Sequence, residues 1–235
     1  METLAERIIR YNLALRFQGA LPAGIRIMNP FEESPDAVKA SSRFYRQFYS
    51  DTNERLLFLG INPGRFGAGL TGVPFTDPKR LREICGAEAW PGAAAHEPSS
   101  VFIYAMIDRY GGPERFYRTV YINSICPLGF VAANKKGKEV NYNYYDSKEL
   151  SAATNEFIIE NLSRALEIGI RRDVCICLGT GRNRQFLEKI NKEHKFFGKI
   201  IALEHPRYII QYKAKSIDQY IDKYVTTLRN LDQGG

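Results

Sequence analysis

Four short runs of apolar residues, separated by stretches of helical character, set the strongest constraint on how this chain can fold. They are residues 55–62 (Arg-Leu-Leu-Phe-Leu-Gly-Ile-Asn), 119–123 (Thr-Val-Tyr-Ile-Asn), 174–179 (Val-Cys-Ile-Cys-Leu-Gly) and 199–205 (Lys-Ile-Ile-Ala-Leu-Glu-His). The first and third are almost continuously apolar, not alternating. Strands buried on both faces have that pattern, and they occur mainly in parallel sheets covered by helices. Helical periodicity fills the intervals at 99–109, 147–168 and 182–194, with a last helix at 216–231. Strand and helix in alternation predict a three-layer α/β/α domain around a mainly parallel four-stranded sheet. Two further helices precede the first strand. One spans 4–17, with Leu4, Ile8, Ile9, Leu13 and Phe17 on one face. The other spans 35–49, capped by Ser34, with Phe44, Tyr45, Phe48 and Tyr49 directed to the core. No linker divides the 235 residues, so a single domain over 1–235 is expected.

Composition narrows the function classes. Thirty-three Lys and Arg against 26 Asp and Glu give a net charge of +7, which favours a polyanionic partner, nucleic acid first. Cys85, Cys126, Cys175 and Cys177 form no Cys-x-x-Cys pair, which disfavours a zinc or iron–sulfur site and fits a reducing cytoplasm. No apolar run reaches the length of a membrane span, and the first residues carry no secretory pattern. Segment 132–146, with Asn134, Lys135, Lys136, Lys138, Asn141, Tyr142, Asn143, Tyr144 and Tyr145, reads first as a solvated loop. The same residue types also suit a DNA backbone.

In an open parallel sheet the chemistry lies beyond the carboxyl ends of the strands. Those ends carry Gly60-Ile61-Asn62-Pro63-Gly64-Arg65-Phe66-Gly67, then Asn123-Ser124-Ile125-Cys126-Pro127-Leu128, Gly179-Thr180-Gly181 and His205-Pro206-Arg207. The first glycine turn lacks the Gly-Lys-Ser/Thr ending of a P-loop, which argues against nucleotide hydrolysis. Gly179-Thr180-Gly181 reads as a tight turn. No paired carboxylates and no Gly-x-Ser-x-Gly elbow sit at these ends.

Residues 60–64 (Gly-Ile-Asn-Pro-Gly) and 71–75 (Thr-Gly-Val-Pro-Phe) resemble the first motif of the uracil-DNA glycosylase superfamily. The similarity is to its single-strand-selective monofunctional (SMUG) branch, in a divergent bacterial form. Asn123-Ser124-Ile125-Cys126-Pro127-Leu128 resembles that branch's Asn-Leu-Cys-Pro-Leu segment, and His205-Pro206 resembles the start of its His-Pro-Ser-Pro-Arg motif. The resemblance covers roughly residues 50 to 215 and implies a monofunctional DNA glycosylase acting in base excision repair.

By that resemblance Asn62 positions the attacking water and His205 hydrogen-bonds O2 of the leaving base. Phe75 stacks on the flipped base, Asn123 reads its O4 and N3–H edge, and Ile61 and Gly64 line the pocket. No metal, cofactor or lysine-dependent lyase step is implied. The implied partner is DNA, single- or double-stranded, bound by a monomer, with no membrane involved. Uracil is the first expected substrate, with hydroxymethyluracil and xanthine next. The sequence departs from the family after Pro206, where Ser-Pro-Arg-Asn-Pro gives way to Arg207-Tyr208-Ile209-Ile210-Gln211-Tyr212-Lys213. Arg207, Tyr208 and Gln211 are then the candidates for the wedge that fills the vacated stack, and Lys213 and Lys215 for phosphate contacts. Arg65 replaces a proline and Ile61 a methionine. A lesion-binding protein on the same scaffold is the alternative reading. A small-molecule N-glycoside hydrolase is a third, distinguished by weak salt dependence.

Overall fold

The computed structural model describes residues 1–88 and 95–232. The chain opens with α1 (Leu4–Leu13), β1 (Ile25–Met28), α2 (Pro30–Glu33) and α3 (Pro35–Phe48). The first sheet strand, β2 (Arg55–Gly60), follows, then α4 (Ala68–Thr71), α5 (Pro78–Cys85), α6 (Pro98–Tyr110) and α7 (Pro113–Thr119). Next come β3 (Val120–Ser124), β4 (Gly129–Ala133), β5 (Glu139–Tyr142) and α8 (Lys148–Leu166). The last elements are β6 (Ile170–Leu178), α9 (Arg182–His194), β7 (Lys199–Leu203), α10 (Pro206–Tyr212) and α11 (Ile217–Asp232).

The main sheet has the order β3-β2-β6-β7, and every pairing in it is parallel. The four apolar runs supply its four strands. Every residue of β2 and β3 is buried, as the unbroken hydrophobicity of two-faced strands requires. Helices flank the sheet in the expected α/β/α arrangement. Among them α1 packs on α3, and α6 packs on α10 and α11. Local sequence sets the helix starts. The side chains of Thr3, Ser34 and Ser147 accept the backbone N–H of Glu6, Ala37 and Leu150, and proline fills the first turn of α3. Where the third and fourth runs lie in the sheet, β6 starts earlier than expected, at Ile170. β7 ends at Leu203, releasing Glu204 and His205 into the loop beyond.

Two expectations need correction. The first helix stops at Leu13, not residue 17. Leu15 turns into the core at 1% exposure, and its carbonyl accepts the Asn29 side-chain amide at 2.9 Å, a tertiary bond that replaces the next helical turn. Segment 132–146 is not simply a loop. It holds the turn and second strand of a hairpin, β4–β5, which pairs antiparallel and joins β1 in a second sheet of order β1-β4-β5. The Asn134 carboxamide oxygen accepts the N–H groups of Lys136 and Lys138, and Gly137 takes φ +71°, so the lysine-rich tip is a closed turn. β5 is half exposed, which gives it too little hydrophobic patterning to read as a strand.

The core is strongly aromatic on the α3 side, where Phe44, Phe48 and Tyr117 pack with ring centroids 4.9–5.0 Å apart. All four cysteines are buried and free. Among the described residues no helix is long and apolar enough to cross a membrane.

Candidate active site

The loop leaving β2 is held by main-chain bonds to the β3 end. Ile125 and Cys126 donate their N–H groups to the carbonyls of Gly60 and Ile61 at 3.0 and 3.1 Å. The Gly64 carbonyl then accepts from both Gly67 and Gly69, closing the loop onto α4. The Thr71 hydroxyl donates to the Thr76 carbonyl at 2.7 Å and accepts the Val73 N–H at 3.1 Å. These bonds force Phe75 into the left-handed region at φ +53°, a conformation an aromatic residue adopts only when its surroundings impose it. The ring is thereby laid beside Gly60, where a β-carbon would come within 3.3 Å of it, and its centroid stands 5.7 Å from that of His205.

Asn62 is fixed by main chain from the end of β5 and the turn after it. Its Nδ2 donates to the Tyr142 carbonyl at 3.2 Å, and its Oδ1 accepts the Tyr144 N–H at 3.1 Å. The donor and acceptor faces of the amide are therefore assigned, and Oδ1 keeps a second lone pair for a further donor.

His205 is the N-cap of α10. Its Nδ1 accepts the Arg207 N–H at 3.1 Å, which puts the imidazole proton on Nε2. Burial, with Arg207 adding, pushes the imidazole down to about 4, so the ring is neutral at pH 7 and Nε2–H is a donor. A reaction assisted by this donor is expected to show no break near pH 6.5. A pH–rate profile with a limb there would contradict the assignment.

These groups share one cavity of about 380 Å³ at the carboxyl ends of β2 and β3, walled on one side by the β5 segment. Ile61, Asn62, Gly64, Arg65, Phe75, His205 and Arg207 all line it. Arg65 donates its N–H to the Asn141 side-chain oxygen at 2.9 Å, and its guanidinium lies 4.0 Å from the centre of the Phe66 ring. Asn123 is not brought to this wall. Its Oδ1 folds back to accept the Ser124 N–H at 2.8 Å, and it faces a far smaller adjoining space of about 20 Å³. Pro63, Ala68, Pro74 and Ser124 border both spaces, so Asn123 stands one layer behind the main cavity. Tyr208, Gln211 and Lys213 lie along and just past α10, exposed and outside the cavity.

Asn141 and Asn143, named from the sequence only as part of a loop whose residue types also suit a DNA backbone, line the cavity, and Glu97, which the sequence did not single out, lines it too. Glu97 arrives from the start of α6, not from a strand end, and nothing in its local sequence marks it. Burial, with the neighbouring Asp77 charge adding, pushes its carboxyl up to about 8, against the smaller opposing pull of Arg80 and Arg207. Among the described residues no group of three or more His, Cys, Asp or Glu is placed to hold a metal. A shallow depression of about 550 Å³ at the opposite ends of the strands, between Glu54, Arg118 and Arg171, gathers mostly charged surface side chains and none of these groups.

The sequence model of the uracil DNA glycosylase superfamily matches residues 47–229. The single-strand selective monofunctional uracil DNA glycosylase of Mus musculus is 30% identical over 148 residues, covering 56% of this chain and 51% of that protein. The Bos taurus protein of the same name is 30% identical over 106 residues, covering 38% of this chain and 39% of its own. The chain thus spans about half the length of the curated relatives it matches. A crystal structure of wild-type SMUG2 from Pedobacter heparinus superimposes with a TM-score of 0.95 at 53% identity, over 99% of this chain and 100% of the other.

Proposed function

This chain belongs to the uracil DNA glycosylase superfamily, and from that premise we propose that it is a monofunctional DNA glycosylase of the SMUG type. In this reading a deaminated base, uracil first, is turned out of the DNA stack into the 380 Å³ cavity and its N-glycosidic bond is hydrolysed. Hydroxymethyluracil and xanthine are the further candidate substrates. The observation that carries the reading is the convergence of Asn62, Phe75 and His205 on that one cavity, each held by bonds or packing independent of any ligand.

Phe75 offers the extruded base a stacking face. As the glycosidic bond lengthens, negative charge gathers on the departing base, and the neutral Nε2–H of His205 donates to its O2. The free lone pair of Asn62 Oδ1 accepts from the attacking water and orients it. An amide does not take a proton near neutral pH, so Asn62 acts by position and not as a base. One preorganised donor of the His205 kind is worth about 3–4 kcal/mol in the transition state.

The test uses labelled single- and double-stranded oligonucleotides carrying one uracil, treated with the protein and then with hot alkali. Scission only after alkali is expected. Scission without alkali would contradict the monofunctional assignment. No scission with uracil, hydroxymethyluracil or xanthine in either strand context would overturn the enzyme reading.

Beyond the cavity, Tyr208 and Tyr212 remain 43% and 65% exposed, with ring centroids 5.4 Å apart. Aromatic stacking on a base is worth about 1–3 kcal/mol. Tyr208→Ala is expected to weaken binding to uracil-containing duplex about tenfold, with binding to single strands less affected. Equal loss on both substrates, measured by fluorescence anisotropy, would remove Tyr208 from the wedge.

A further inference from the structure

We propose that Glu97 is a base-contacting residue, its carboxyl group hydrogen-bonding the extruded base in the same cavity that holds His205; this rests on the glycosylase reading. The inference begins with a carboxyl group set in a glycine-lined niche beside the cavity. Glu97 Oε2 is enclosed by protein and has no hydrogen-bond partner among the described residues, although a buried polar oxygen without a partner costs about 1–3 kcal/mol. Its side chain does not reach back to cap α6, which it begins. Glu97 nevertheless borders the cavity together with Asn62, Phe75, His205 and Arg207.

The placement is rigid. The Glu97 N–H donates to Asp77 Oδ2 at 3.1 Å, and Pro98 follows as the first residue of α6. The carboxyl group lies against the α-carbon of Gly67, where a β-carbon would stand only 2.1 Å from Oε2. A β-carbon on Gly64 would stand 3.5 Å from Oε1. The β2 loop has therefore given up side chains at Gly67 to admit this carboxyl group.

Its protonation state decides what it can do. Asp77 on α5 presses a negative charge on it, while Arg80 on α5 and Arg207 on α10 pull the other way. His96 stands 3.2 Å from Asp77, and the neutral His205 shares the cavity. With its carboxyl pushed up to about 8, Glu97 is a neutral acid at pH 7, with one O–H to donate and one oxygen to accept. Uracil, hydroxymethyluracil and xanthine all carry a lactam N–H beside C=O, and Oε1, on the Gly64 side that lines the cavity, offers that edge one hydrogen bond while Oε2 stays enclosed against Gly67. As charge builds on the leaving base the donated bond strengthens. Above pH 8 the ionised carboxylate can only accept, and it repels the developing anion.

Three proteins test this under single-turnover conditions between pH 6 and 9.5: wild type, Glu97→Gln and Glu97→Ala. The wild-type rate is expected to fall as pH rises through about 8. Glu97→Gln keeps a neutral donor and acceptor, so it is expected to stay within about threefold of wild type at pH 7 and to lose the alkaline fall. Glu97→Ala is expected to be about ten- to a hundredfold slower with an unchanged melting temperature. An alkaline fall retained in Glu97→Gln, or Glu97→Ala within twofold of wild type, would overturn the contact. The second readout is carbon-13 NMR of the Glu97 carboxyl with an uncleavable 2′-fluoro-deoxyuridine oligonucleotide, compared with the same strand carrying an abasic analogue. A base-dependent movement of the signal is expected. An active wild type whose Glu97 signal does not respond overturns the contact alone. An inactive wild type whose signal does respond overturns the enzyme reading and keeps the contact.

Discussion

Substituting His205 with alanine is expected to slow uracil release by about 10²–10³ while changing the Kd for the same oligonucleotide by no more than about threefold. The size follows from removing one preorganised donor from the atom where charge develops, an interaction that matters little before the bond stretches. The imidazole also caps α10 through Nδ1, and loss of a cap costs about 1 kcal/mol. A drop in melting temperature is therefore expected beside the kinetic effect, and the two need separating. His205→Asn does so: asparagine caps well, so stability should return toward wild type, whereas its shorter side chain leaves the rate low. Single-turnover rates and anisotropy on one set of oligonucleotides give both quantities. Rate and affinity falling together by the same factor would favour the lesion-binding reading over an enzyme.

The largest stability effect is expected at Asp77, which is fully buried. Its carboxylate accepts the Arg80 N–H at 3.0 Å, the Arg80 guanidinium at 2.9 Å, the Glu97 N–H at 3.1 Å and the Ser100 hydroxyl at 3.1 Å. It caps α5 and ties that helix to the start of α6 in one group. Asp77→Ala leaves these donors facing a void, and breaking such a buried charged cluster costs about 3–5 kcal/mol. For a domain of this size that is a fall of about 10 °C in Tm. Burial alone would raise the Asp77 carboxyl, but the backbone donors, Arg80 and Ser100 outweigh it and hold it below the ordinary 3.8. A carboxyl held low in the folded state adds stability that is present above its unfolded value and lost as pH falls through the folded one. The difference between wild type and Asp77→Asn should therefore close at acid pH below 3.8. A thermal melt series in which the difference stays constant from pH 7 to pH 2.5 would refute the ionised cluster.

The sheet was legible because burial on both faces leaves a residue-level trace. Leu56 to Leu59 and Cys175 to Leu178 are apolar without interruption, and all of them lie at 0–1% exposure in the two central strands. Helix α9 was legible from its own periodicity, since 182–194 is where it runs. The hairpin was not, because β5 alternates between half-buried and exposed positions and its paired residues in β4 are only six to twelve residues away in sequence. In the site, Asn62 and His205 follow strands and could be named from position, Phe75 came only from the resemblance of residues 71–75, and all three line one cavity. Asn123 follows the same rule of position, yet its side chain turns to the Ser124 N–H, a rotamer choice set by tertiary packing and not by spacing. Glu97 lay outside the rule entirely, since it reaches the cavity from a helix start and is fixed there by Asp77, twenty residues earlier.

Asn62 is oriented by two main-chain groups, the carbonyl of Tyr142 at the end of β5 and the N–H of Tyr144 in the turn after it. The carbonyl is common to every residue and the N–H to every residue but proline, so the amide does not depend on which side chains the hairpin carries. Val140, Asn141 and Asn143 can therefore be exchanged to reshape the cavity wall while the Asn62 amide keeps its aim. The arrangement lets the cavity wall vary while the amide that faces the cavity stays fixed.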